Sequence, residues 1–123
     1  MRSAILAILA TALAPVTLAC QSHHEEGVTS SYHSQWTEVA ADTKTTTDAA
    51  KAVLESQGLK DVKASSTGVD GTAEGKKADG TKVSVSVKKK GSGSEVSVTV
   101  GTLGDPALGA DIAKSTKDKA EAR

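Results

Sequence analysis

From residue 83 onward, apolar and polar residues alternate with a period of two. Val83, Val85 and Val87 are interleaved with Ser84, Ser86 and Lys88, and Val96, Val98 and Val100 with Ser97 and Thr99. One face of each strand is then apolar and the other polar, which describes a half-buried antiparallel hairpin, because a parallel strand buried on both faces would lack the polar positions. Residues 89–94, Lys89-Lys90-Gly91-Ser92-Gly93-Ser94, supply the linker.

Upstream the same period is weaker. Val62 and Ala64 open a strand, Val69-Asp70-Gly71 reads as a turn, residues 72–77 form a polar return strand, and Ala78-Asp79-Gly80-Thr81 is a turn with the Asp-Gly pair that hairpins favour. An earlier strand over residues 32–39 places Tyr32, Ser34 and Trp36 on one face and His33, Gln35, Thr37 and Val39 on the other, without marking which is buried. Between these strands, Thr45-Thr46-Thr47-Asp48 offers capping hydroxyls and a first-turn carboxylate for a helix carrying Ala49, Ala50, Ala52, Val53 and Leu54. Gly58 ends that helix and Leu59 folds back over its last turn. A final helix opens at Asp105-Pro106, a capping carboxylate followed by the residue best suited to the first helical position, with Leu108, Ile112 and Ser115 on one face.

The expected order is strand, helix, three strands, helix. It predicts an α+β fold: a two-layer sandwich with a mostly antiparallel sheet and both helices on the valine face. The domain is expected over residues 32–117, and residues 118–123, which have no apolar face, are expected to fray.

The N-terminus follows a different rule. Arg2 precedes an Ala/Leu/Ile/Val run over residues 4–18, closed by the small residue Ala19 and then by Cys20, the single cysteine. A positive flank, a short apolar core and a small residue before the cleavage point are what a signal peptide requires, and the run is too short for a good spanning helix. Val16-Thr17-Leu18-Ala19-Cys20 resembles the lipobox of bacterial lipoprotein precursors, departing from it at Thr17, where leucine is usual. The resemblance implies that residues 1–19 are removed and that Cys20 is acylated, so the membrane is a partner through lipid. Residues 20–31 have no hydrophobic period and are expected to be a flexible tether. Gln21 supplies no aspartate retention signal, which by analogy implies an outer-membrane anchor facing the periplasm.

Composition narrows the function classes. Fifteen basic residues balance fifteen acidic ones, so no global field draws the chain to nucleic acid. Tyr32 and Trp36 are the only aromatics, too few for the stacking platforms of a single-strand binder. With one cysteine there is no internal disulfide.

At Val98-Thr99-Val100-Gly101-Thr102-Leu103-Gly104-Asp105-Pro106-Ala107-Leu108 the chain resembles a family of small bacterial envelope lipoproteins defined only as a domain of unknown function. Leu54-Glu55-Ser56-Gln57-Gly58-Leu59 and Ala78-Asp79-Gly80-Thr81-Lys82-Val83 are similar too, in the same order, so the resemblance runs over residues 36–117. It implies an envelope lipoprotein with a compact α+β domain. It carries no catalytic residues, substrate or cofactor.

Candidate chemistry is sparse. His23, His24 and His33 with Glu25 and Glu26 are the nearest approach to a metal set, yet adjacent residues rarely close a tetrahedral site. Asp70 and Asp79 sit beside glycines, where turn formation is reason enough for them. Gly101 and Gly104 before a helix suggest a phosphate cradle only weakly, since Asp105 puts a carboxylate where the anion would bind and is read instead as a structural cap. Lys88-Lys89-Lys90 reads as a solubilising loop before it reads as a lipid or glycan contact. The expectation is a non-enzymatic lipoprotein without cofactor that binds an envelope protein or rests against envelope components. The alternative is a periplasmic metal or small-ligand carrier using the tether histidines or a cleft between sheet and helices.

Overall fold

The structure, a computed structural model, describes residues 27–31 and 33–122. Its elements run β1 (Thr29–Ser30), β2 (Ser34–Val39), α1 (Thr43–Ser56), β3 (Lys60–Ser66), β4 (Asp70–Lys76), β5 (Lys82–Lys90), β6 (Gly93–Val100) and α2 (Pro106–Glu121). The strands form one antiparallel sheet in the order β1-β2-β6-β5-β4-β3, and both helices pack on its valine face. This is the expected α+β sandwich, with four strands rather than three between the helices and β1 added at the start.

Register explains the core. Across the inner face run the rows Gly75–Val83–Val100, Ala73–Val85–Val98–Gln35 and Gly71–Val87–Val96–Thr37. Val83, Val85, Val87, Val96 and Val98 are fully buried beneath Leu54 and Ile112. The inner face of β2 is therefore Gln35, Thr37 and Val39, while Trp36 points outward and is half-buried.

Small residues let the helices come close. A Cβ at Gly71 would stand 2.0 Å from Thr47 Oγ1, and one at Gly109 would stand 1.9 Å from Gln35 Oε1. Each helix thus meets the sheet at a glycine, one on β4 and one on α2 itself. Gly71 belongs to β4 and not to a turn as expected; the reversal falls at Thr67-Gly68-Val69, where Thr67 N–H donates to Asp70 O at 2.7 Å.

Further boundaries depart from the sequence reading. Helix α1 starts two residues before Thr45, because Asp42 accepts from Thr45 N–H at 2.7 Å and outcompetes the threonines as a cap. Thr46 and Thr47 instead turn inward, and Thr47 Oγ1 donates to Thr43 O. The buried residues of α2 are Gly109, Ala110, Ile112, Ala113, Thr116 and Ala120, whereas Leu108 and Ser115 are only half-buried. Nor do residues 118–122 fray: α2 runs through Glu121 with Ala120 buried, so the final turn has an apolar anchor too small to register as a period. The expected tether also ends earlier, since Val28 is buried and β1 pairs with β2. Gln35 locks this junction by donating from Nε2 to Ser30 Oγ and Ser31 O, each at 3.1 Å.

Candidate functional site

At the end of the sandwich where β5 turns into β6, five charged side chains from four elements converge. Lys90 on β5 pairs with Glu38 on β2 and, at 3.4 Å, with Glu95 on β6. Lys117 on α2 donates to Glu121 and to the backbone oxygen of Glu38, both at 2.9 Å. Glu121 in turn accepts from Ala40 N–H at 2.8 Å. Around these groups lies an open depression of about 340 Å³, lined also by Ser92 and Gly93.

The electrostatics follow from the bonds. The hydrogen bond from Lys90, then its charge, hold Glu38 below the ordinary value of 4.5, and the same contact raises Lys90 above 10.5. Glu121 is lowered first by the Ala40 amide and then by Lys117. Carboxylates so engaged stay ionised at neutral pH and act as fasteners. The arrangement ties the last turn of α2 to the β2–α1 connection. Sequence reasoning missed it because its members are scattered from residue 38 to residue 121; the only local signal is the i,i+4 spacing of Lys117 and Glu121.

The opposite end holds Gly101, Gly104 and Asp105. Asp105 is the N-cap of α2, accepting from Leu108 N–H at 3.1 Å, with Pro106 in the first turn. Gly101 and Gly104 have φ of 61° and 78°, the left-handed region that side-chain-bearing residues avoid. Together they turn β6 into α2, and Leu103 at the crest is 80% exposed. The helix end that could receive an anion is occupied by its own carboxylate.

The outer face of the sheet is hydroxyl-rich. Ser34, Thr99 and Ser84 stand in one row and Trp36, Ser97, Ser86 and Thr72 in the next, with Ser34 Oγ and Thr99 Oγ1 3.0 Å apart.

Of the other residues singled out in the sequence, Cys20, His23 and His24 lie outside the described residues, as does Tyr32. His33 is exposed just before β2. Among the described residues no group of three or more His, Cys, Asp or Glu is placed to hold a metal ion. The space between sheet and helices is filled by Leu54, Ile112 and the valines.

These features define a small two-layer α+β domain whose polar clusters cap, turn and fasten. The family described as "Protein of unknown function (DUF3568)" matches residues 4–119, and the chain belongs to it. No curated protein matches the chain.

Proposed function

We propose that the protein is a bacterial envelope lipoprotein, anchored through acylated Cys20, whose folded domain serves a non-enzymatic binding or structural role, at the outer membrane facing the periplasm. The observation that carries this reading is the extent of the family match: it begins at residue 4 and so takes in the apolar leader and Cys20 together with the domain. The packing supports the non-enzymatic part, since the converging Glu and Lys side chains satisfy one another and backbone groups.

Stable anchoring needs more than one acyl chain, each buried methylene contributing about 0.8 kcal/mol. The wild-type protein is therefore expected to float with membranes through a salt wash, with Cys20 carrying acyl mass, and Cys20→Ser to be released or left as an uncleaved precursor. Recovery of wild-type protein as a soluble species with a free thiol would refute the proposal. The carrier reading would replace the binding role if calorimetry gave submicromolar zinc or copper affinity that His23→Ala and His24→Ala abolish.

A further inference from the structure

Strand β1 fixes the direction from which the chain enters the domain. It runs antiparallel to β2, with Thr29 opposite Trp36, and Gly27 O accepts from Thr37 Oγ1 at 2.7 Å. Because β2 runs toward the β5–β6 turn, where Val39 faces Ser94, residues upstream of Thr29 come from that same end. Between Cys20 and Gly27 there are few residues, and even fully extended they reach only about 25 Å. That is comparable with the height of the sheet, whose longest strand, β5, spans roughly 30 Å at about 3.3 Å per residue. To rest the domain on its opposite end, the linker would have to double back along the sheet and use most of its reach, with the ordering entropy that implies.

The end so directed carries the chemistry of an interfacial contact. Val69, in the β3–β4 turn, is 64% exposed. It lies beside the lysine run, for Lys89 N–H donates to Val69 O at 2.8 Å. Lys88 and Lys89 are exposed, and neither forms an ion pair among the described residues. The nearby carboxylates are mostly engaged: Glu38 and Glu95 by Lys90, Glu121 by Lys117. Asp70 stands across from Lys88 in register and is held within its own turn by Thr67. An exposed apolar tip flanked by unpaired lysines suits a layer of phosphate headgroups over hydrocarbon, where the cations meet phosphate and the valine enters the boundary.

We infer that this end, formed by Val69, Lys88 and Lys89, is a seat on the phospholipid headgroup layer that holds the domain upright on its own membrane. The inference rests on the lipid-anchor reading. It orients the molecule: the Leu103 crest points away from the bilayer, and the Ser/Thr face of the sheet stands roughly perpendicular to it.

The test uses the full acylated protein reconstituted into vesicles of phosphatidylethanolamine and phosphatidylglycerol containing a headgroup quencher. Val69→Cys and Leu103→Cys are each labelled with an environment-sensitive dye; both positions are exposed, so neither substitution disturbs the core. The seat is supported if the dye at residue 69 is blue-shifted and quenched several-fold more than the dye at residue 103. Each lysine at an anionic surface contributes roughly a fivefold preference, so Lys88→Ser with Lys89→Ser should lower the ratio of seated to unseated domain by about 25-fold. Equal quenching at the two positions, or stronger quenching at 103, in protein that floats with the vesicles would overturn the seat and leave the anchor standing. Labelling of the wild-type protein, whose only thiol is Cys20, would show that the anchor itself is absent, and the seat would fall with it.

Discussion

Asp105 has the look of a catalytic acid, a half-buried carboxylate between glycine and proline, and the structure gives it a different occupation. Its oxygen takes up an otherwise unpaired amide of the first turn of α2 while its charge meets the positive end of the helix dipole. Asp105→Ala is expected to lower stability by about 0.5–2 kcal/mol in denaturant melts, and Asp105→Asn or Ser to keep most of it because those side chains also cap. Gly71 is the contrary case, an unremarked glycine on which a helix rests. Thr47 Oγ1 is held there by its bond to Thr43 O, so a methyl group at residue 71 cannot be accommodated by a simple rotation. Gly71→Ala should destabilise by about 1–3 kcal/mol, as overpacking does. Thr47→Ala in the same chain should return part of that loss, and additive losses in thermal melts would refute the close contact.

At the level of elements, the valine strands were readable because alternation is dense and unbroken there, and the turn at Asp79-Gly80 because its chemistry is local: Thr81 N–H donates to Asp79 Oδ1 at 2.9 Å. Val85→Ala is expected to reduce stability by about 2 kcal/mol. Ser84→Ala, on the other face of the same strand, should stay within about 0.5 kcal/mol, and equal shifts in the melting midpoint would contradict the register. The inward face of α2 was not readable, since Gly109, Ala113, Thr116 and Ala120 bury by being small, and smallness leaves no hydrophobic period. β1 was missed for a related reason. Two residues cannot show a period, and what fixes them is Gln35, a polar residue whose burial follows only from the alignment of β2 against β6. The start of α1 could have been found, because Asp42 is a better cap than the threonines after it; the helical spacing of the alanines drew the boundary too late. Edge strand β3 shows how a sheet end is kept from pairing further. Its register breaks between Lys60 and Lys63, Asp61 has φ of 53°, and the lysines there stand on an otherwise open edge, a combination that discourages edge-to-edge association.

For the whole molecule, the fastener of Glu38, Lys90, Lys117 and Glu121 joins the two ends of the folded chain. Its carboxylates have folded pKa values below their ordinary 4.5, so the stabilisation is present above that value and is lost as pH falls through the lower folded values. Lys90, raised above 10.5, contributes at and below that pH and ceases to do so only as pH rises through its folded value. Urea melts are therefore expected to show stability falling below about pH 4.5. Glu121→Gln, which keeps an acceptor for the Ala40 amide, should flatten part of that slope while changing neutral-pH stability little, as exposed ion pairs usually do. An unchanged acid slope would remove Glu121 from the account. The sheet order has a further consequence, in time rather than in space. β2 is the first of the long strands to be made, yet its long hydrogen-bonded neighbour is β6, the last strand, so the row from Gln35 to Val98 cannot close until nearly the whole chain has emerged. Late closure of this kind slows folding. For a chain that must be threaded unfolded through a translocation channel, as the proposed export requires, that delay is protective: the strand order itself keeps the domain open until the passage is almost complete.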